Sequence, residues 1–235
     1  MRHDSFKFRQ FTIHQDRCAM KVGTDGTLLG AWASAPDGAC RILDIGTGTG
    51  LIALMMAQRF PEASVIGIDI DSEAVLQASE NANSSPFSSR VSFQQMDVNE
   101  FESAPFDAIV SNPPYFMSSL ECPDMKRTMA RHTSSLSYSE LMKAAYRLLN
   151  DTGCFSLIIP SEFSKQIVSE AFLNGFNMSR KYDIKTTPKK LPKRCLLEFI
   201  KCPVNQLDIK NYSILDENAE RSEWYHNLVK YFYIK

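Results

Sequence analysis

Residues Asn112, Pro113, Pro114 and Tyr115 form a tetrapeptide that specifies a chemistry as well as a local geometry. It follows an apolar run, Phe106-Asp107-Ala108-Ile109-Val110-Ser111, that reads as a buried strand. Two consecutive prolines have no N–H to donate and fix φ, so the chain must leave the sheet there. The turn presents the Asn112 amide, the Pro113 carbonyl and the Tyr115 ring together. Two oxygens can accept both hydrogens of a planar NH2 group, and an aromatic face can stack on the conjugated ring that carries it. An isolated Asn-Pro-Pro would read only as a strand exit, so the weight of the motif depends on what surrounds it.

Upstream, Cys40-Arg41-Ile42-Leu43 leads into Asp44-Ile45-Gly46-Thr47-Gly48-Thr49-Gly50. This predicts a short buried strand, a glycine-rich turn, and a helix from Leu51 to Phe60 closed by Pro61. Glycines allow a sharp turn and close approach to a ligand, and the helix N-terminus offers free N–H groups. The dinucleotide fingerprint G-x-G-x-x-G would place its third glycine at 51. Position 51 is Leu51, and the third glycine is Gly50. A second strand, Ser64-Val65-Ile66-Gly67-Ile68, ends in Asp69, suited to accept from the two hydroxyls of an adenosine ribose. A third, from Arg90 to Met96, ends in Asp97, a candidate partner for the adenine amine. Each aspartate alone could be a helix cap or turn residue, and Asp69 and Asp71 do precede a helical stretch. Asp44, Asp69 and Asp97 at successive strand ends, followed by Asn112, form a more specific series.

With these motifs in place, the chain resembles the class I S-adenosylmethionine-dependent methyltransferases, and within them the amino-methylating branch marked by Asn-Pro-Pro-Tyr. The stretch Asp16-Arg17-Cys18-Ala19-Met20-Lys21-Val22-Gly23-Thr24-Asp25-Gly26, together with residues 112–115 and 189–197, resembles the bacterial valine-tRNA adenine-N6-methyltransferase family over essentially the whole chain. The resemblance implies a Rossmann-like α/β fold, with a seven-stranded, mostly parallel sheet, one antiparallel strand and helices on both faces. It implies S-adenosylmethionine as cofactor, held by Lys21, Thr24, Asp25, Asp44, Gly46, Thr47, Gly48, Gly50, Asp69, Asp97 and Asn112. It implies catalysis by Asn112, Pro113, Pro114 and Tyr115 on the adenosine immediately 3′ of a valine-tRNA anticodon. Two rivals share this front end: a methyltransferase of a release-factor glutamine amide and a guanine-N2 rRNA methyltransferase. The first would bring a long helical amino-terminal domain, the second a longer or duplicated chain. A nucleotide-binding module without catalysis leaves residues 112–115 unexplained.

Composition sets the outer limits. The 235 residues suffice for one α/β domain with a full core, and 44% are hydrophobic. We expect a single methyltransferase domain over 1–235, with an amino-terminal appendage (1–35), a cofactor-binding and catalytic core (36–202) and a carboxy-terminal helical extension (203–235). No apolar run approaches a membrane span and no signal-peptide core is visible. Six cysteines lack any C-x-x-C pair, so no metal is expected and the thiols point to a reducing cytoplasm. A monomer is expected.

A net charge of −1 conceals an uneven distribution. From Glu62 to Asp107 there are nine acidic residues and one basic, whereas from Arg180 to Arg194 there are seven basic and one acidic. Lys126, Arg127 and Arg131 add a second basic group after the proline turn. Each run alone could be a solvated face. Beside a catalytic turn and opposite an acidic half, they form an electrostatic footprint for tRNA, with Lys126, Arg127, Arg131, Lys189, Lys190, Lys193 and Arg194 as phosphate contacts. The polar loop 116–135 is long enough to act as a substrate lid. Further elements are a helix at 138–149, a turn at 150–153, a strand at 154–159, a helix at 161–174, and paired strands at 176–185 and 195–200. A tail helix at about 219–232 completes them, its Trp224, Tyr225, Leu228 and Phe232 packing on the core.

Overall fold

The computed structural model describes residues 4–17, 21–113 and 136–234. Two strands, β1 (Ser5–Lys7) and β2 (Thr12–His14), form an amino-terminal hairpin. The central sheet contains β3 (Arg41–Ile45), β4 (Ser64–Asp69), β5 (Val91–Gln95), β6 (Phe106–Ser111), β7 (Leu149–Pro160), β8 (Asn177–Lys185), β9 (Arg194–Ile200) and β10 (Asp208–Ser213). Their order is β10-β8-β9-β7-β6-β3-β4-β5. Only β9 runs antiparallel to its neighbours, β7 and β8, and the remaining pairings are parallel. The expected mostly parallel sheet is therefore present, with an eighth strand, β10, added at its edge.

The helices are α1 (Thr24–Trp32), α2 (Leu51–Arg59), α3 (Ser72–Asn83), α4 (Tyr138–Leu148), α5 (Ser164–Leu173) and α6 (Glu223–Val229). Alternation along each strand divides the core in two. Ile42, Ala108, Val110, Ile158 and Leu196 pack with α1, α2 and the hairpin on one face. Leu43, Ile45, Ile109, Leu157 and Leu197 pack with α4 and α5 on the other. Burial on both faces explains why the central strands are almost continuously apolar. The amino-terminal segment belongs to this architecture: Phe8 stacks on Phe11, and Phe6 and Phe8 both meet Tyr233 near the carboxyl end.

Three expectations need correction. Residues 150–153 do not separate a helix from a new strand. They lie within β7 and bulge, because the register jumps from Phe106↔Leu149 to Ala108↔Cys154. The turn chemistry is real, since Thr152 N–H donates to Asn150 Oδ1 at 3.0 Å, but β6 pairs on both sides of it. The helix expected at 161–174 begins as a 3-10 turn at Ser161–Phe163 before α5. The tail helix is only α6, capped by Ser222, because Ala219 adopts a positive φ of 64° and residues 215 and 221 bridge. Trp224 stacks on Tyr212 at 4.4 Å, and Tyr225 and Phe232 are buried, as core packing requires.

The β3–α2 connection carries the positive-φ glycines Gly46, Gly48 and Gly50. Asp44 is fully buried beneath it. Its Oδ2 accepts from Thr47 Oγ1 at 2.7 Å and from Ala53 N–H at 3.2 Å, tying loop and helix to the strand. Gly67 on β4 leaves room for this loop: a Cβ there would meet Phe93 at 2.5 Å and Thr47 Oγ1 at 2.6 Å. Asn81 of α3 ties the hairpin to the same loop. It accepts from His14 N–H at 2.8 Å and donates to the carbonyls of His14 and Thr49, both at 2.9 Å.

Two stability predictions follow from this packing. Asn81→Ala should cost about 1–3 kcal/mol by stranding the buried Thr49 carbonyl and the part-buried backbone groups of His14. An unchanged urea midpoint would show that the hairpin is not anchored there. Burial pushes the Asp44 carboxyl up to about 7, against hydrogen bonds from Thr47 and Ala53 that pull it down, with nearby Asp69 adding to the rise. The folded state thus holds this proton more tightly than the unfolded chain. The contribution is fully present below about pH 4 and is lost as pH rises through about 7. Urea midpoints of the cofactor-free protein should reveal this loss between those values, and Asp44→Asn should remove that part of the dependence.

Candidate active site

The parallel strands β3, β4 and β6 end on one edge of the sheet, and the chemistry-bearing residues gather there. Because β9 is antiparallel, its first residue, Arg194, lies opposite Pro160 at the end of β7 and Ile184 near the end of β8. The 186–193 connection therefore emerges on the same edge. At this edge is a cavity of about 220 Å³. Its walls come from Lys21, Gly23, Thr24, Asp25 and Gly26, from Gly46, Thr47, Gly48, Thr49, Leu51 and Ile52, and from Asn112 and Arg194. Segments more than eighty residues apart in sequence thus converge on one concavity.

Gly46 and Gly48 present open space where a side chain would stand, with φ of 71° and 54°. Gly46 and Thr47 N–H both donate to the Ile68 carbonyl, at 2.9 and 3.0 Å, which draws the loop over the end of β4. Asp69 then accepts from Gly48 N–H at 2.9 Å and from Asp71 N–H at 3.1 Å. Each carboxylate oxygen keeps further acceptor capacity. Asp71 caps α3 through Glu73 N–H, so the cap and strand-end roles fall to different aspartates. Asp97 is half-buried and accepts from Asn99 N–H at 2.9 Å, a local turn contact, and it is not among the residues lining the cavity.

Asp44 Oδ1 and Asn112 Oδ1 are among the buried side-chain oxygens that have no hydrogen-bond partner among the described residues. Leaving a buried acceptor unpaired costs about 1–3 kcal/mol. Asn112 lines the cavity, immediately after β6, whose last residue Ser111 is pinned by its hydroxyl to the Ile45 carbonyl at 2.9 Å. The strand that aims Asn112 is therefore fixed to the strand that carries the glycine loop. A glycine cradle with no side chains in it, an acidic strand end and an unpaired amide oxygen fit an adenosyl cofactor carrying an alkyl donor. Pro114, Tyr115, Lys126, Arg127 and Arg131, with the expected lid at 116–135, lie outside the described residues.

The basic run 180–194 is less uniform than its sequence. Arg180 packs over Trp32 at 3.8 Å and donates to Ser34 Oγ at 2.7 Å. Lys181 pairs with Asp183 at 3.4 Å, and Lys185 reaches the Pro188 carbonyl at 3.5 Å. Arg194 is not on the exposed loop with the lysines: its Nε donates to Asp25 inside the cleft. Lys189, Lys190 and Lys193 remain exposed, with no side-chain partner among the described residues. Sequence reasoning missed Gly23, Gly26, Thr49, Leu51 and Ile52 as cavity-lining residues, and Asn81, Gln77 and Gln15 as their supports. Gln15 Oε1 accepts from Val22 N–H at 2.7 Å, and Gln77 Oε1 from Arg17 N–H at 3.1 Å. A buried Gln or Asn carries no sequence signal of its own until the partner backbone is known.

No group of three or more His, Cys, Asp or Glu side chains among the described residues could hold a metal ion. No helix among them is long and apolar enough to cross a membrane.

A methyltransferase domain family matches residues 36–219. The tRNA1(Val) (adenine(37)-N6)-methyltransferase of Parabacteroides distasonis is 44% identical over 238 residues, covering 100% of both chains. The enzyme of the same name from Phocaeicola vulgatus is 47% identical over 230 residues, covering 97% of each. Among solved structures, a predicted O-methyltransferase from Agrobacterium tumefaciens superposes with a TM-score of 0.69 at 21% identity, over 88% of this chain and 96% of that one. The chain belongs to the S-adenosylmethionine-dependent methyltransferases, in the family that contains these bacterial tRNA1(Val) (adenine(37)-N6)-methyltransferases.

Proposed function

We propose that this protein methylates the exocyclic amine of an adenosine in tRNA, the nucleotide immediately 3′ of the anticodon in a valine tRNA. The observation that carries this is Asn112 Oδ1, a buried acceptor without a partner among the described residues, set on the cleft wall beside the glycine loop. The names borne by the full-length relatives supply the RNA and the position.

The bound cofactor supplies an electrophilic sulfonium methyl with a good leaving group. Gly46, Thr47, Gly48 and Gly50 would cradle it, Asp69 would accept from its ribose, and Lys21, Thr24 and Asp25 would close the opposite wall. Asp44 orients the loop from beneath, while Asp97 would act near the adenine only if a ligand draws it from its turn contact. An adenine amine is conjugated with its ring, so its lone pair is a poor nucleophile. The Asn112 side-chain oxygen and the Pro113 carbonyl would each accept one amine hydrogen, favouring a more pyramidal nitrogen with its lone pair directed at the methyl group. Positioning then carries much of the rate, without a strong general base. Pro114 would shape the turn, and Tyr115 would stack on a base taken out of its neighbours.

The three exposed lysines Lys189, Lys190 and Lys193, on the same edge as the cleft, would contact RNA phosphates, with Lys126, Arg127 and Arg131 as further contacts. We also infer that the 235 residues act as one domain, since Phe6 and Phe8 near one end pack on Tyr233 near the other, and as a monomer. A reducing cytoplasm suits the buried free thiols Cys40 and Cys195.

Incubation with total tRNA, rRNA and release factor, followed by mass spectrometry of nucleosides and peptides, should give N6-methyladenosine in tRNA. A methylated glutamine or N2-methylguanosine instead would replace this function by one of its rivals. Asn112→Ala should abolish transfer while cofactor affinity by calorimetry stays within about threefold, since the lost acceptor acts mainly in the transition state. Comparable losses in both quantities would give Asn112 only a cofactor-binding role. Replacing Lys189, Lys190 and Lys193 together by Ala should weaken tRNA binding and flatten its dependence on salt, because fewer counterions are released. Coincident salt plots for the two proteins would make that loop an ordinary solvated face.

A further inference from the structure

We propose that Arg194 is an oxyanion-binding fork inside the cleft, oriented by Asp25, for a carboxylate or phosphate of a bound ligand. The proposal rests on the cleft being the methyl-transfer site. The position of Arg194 is fixed by backbone, since it pairs with Ile184 on one side and Pro160 on the other. Its Nε is engaged by Asp25, and the two side chains are 27% and 19% exposed. A guanidinium has five N–H donors. Among the described residues, Asp25 is the only hydrogen-bond partner of this one, which leaves both terminal amino groups without a protein acceptor.

Other arginines of this chain are used differently. Arg59 donates to the carbonyls of Gly30 and Ala33, Arg90 to those of Phe60, Ala63 and Ala57, and Arg147 to those of Phe101 and Val98. Each closes on backbone. Arg194 instead lines the same cavity as Asn112 and the glycine loop, half-removed from water, with its flat fork unfilled. That arrangement suits two-pronged recognition of a planar or tetrahedral oxyanion, which a lysine cannot reproduce. Asp25 is a positioning residue, because it fixes the plane of the fork through Nε.

Two bound groups could supply the oxyanion: the amino-acid carboxylate of the cofactor, or a phosphate flanking the target nucleotide. The test uses calorimetry with S-adenosylhomocysteine, which has the carboxylate, and with 5′-methylthioadenosine, which lacks the amino-acid part. A fluorescent anticodon stem-loop measures the RNA arm. For a carboxylate, Arg194→Gln should weaken S-adenosylhomocysteine about tenfold or more and leave methylthioadenosine unchanged. For a phosphate, the stem-loop should weaken by about as much while both nucleosides bind as before. Asp25→Asn should weaken the same ligand by less. Arg194→Lys preserves the charge and guards against loss of fold; it should retain only part of the affinity. Full affinity in Arg194→Lys, or unchanged affinity for all three ligands in a folded Arg194→Gln protein, would overturn the proposal. Failure of the wild type to bind either nucleoside would instead overturn the methyltransferase function of the cleft.

Discussion

Asp44 is the next-to-last residue of β3, between β4 and β6, with its side chain shielded from water, and a buried carboxylate must be compensated by its surroundings. The compensation comes from the loop and helix that follow it: one oxygen collects the Thr47 hydroxyl and the Ala53 N–H. That double contact selects a backbone path from strand to helix, and the path requires three glycines in left-handed conformations. The same path brings Gly48 N–H to Asp69, so the ends of two neighbouring strands are joined through the loop. Asn112 inherits its position from this frame, through the Ser111 hydroxyl on the Ile45 carbonyl. The other Asp44 oxygen has no hydrogen-bond partner among the described residues.

Positive charge follows a division of labour that counting cannot reveal. Arg59 and Arg90 neutralise the carbonyl ends of α1 and α2, where the helix dipole favours a cation. Burial, with the nearby Arg180 adding to it, lowers the Arg59 guanidinium to about 10, still far above neutrality. Arg41 spans the Ala104 and Pro105 carbonyls over the Phe106 ring. These cations are structural, and among the described residues the lysines of the 186–193 connection are exposed beside the cleft, together with Lys21 on the cavity wall. The exposed part of the 180–194 run is thus smaller than its formal charge.

Elements governed by neighbours in sequence were legible before the fold was known. The run from Phe106 to Ser111 is a strand over those same residues, and the glycine turn and α2 begin where Gly50 and Leu51 indicate. Elements governed by distant partners were not. Arg194 belongs to a basic stretch by sequence, but its partner Asp25 lies 169 residues away. Asn81 looks like any polar residue on an amphipathic helix until His14 and Thr49, 67 and 32 residues distant, place it in the core. Residues 208–213 alternate weakly and are largely polar, so nothing local marks them as a strand. Their conformation is imposed by β8 and secured by the Tyr182 hydroxyl on Asp208 at 2.6 Å.

That last strand has a consequence for the molecule among its own copies. The outer strand of an open sheet presents unpaired amides and carbonyls, a template on which another chain can add. Here the apolar inner strands are followed by β8 and then by β10, with Lys210 and Asn211 exposed along the rim. A neighbour docking on that rim would have to strip water from an ammonium group already shared between Asp208 and Tyr182. A strand added at this rim would therefore carry the cost of desolvating a charge, which the apolar inner strands do not present.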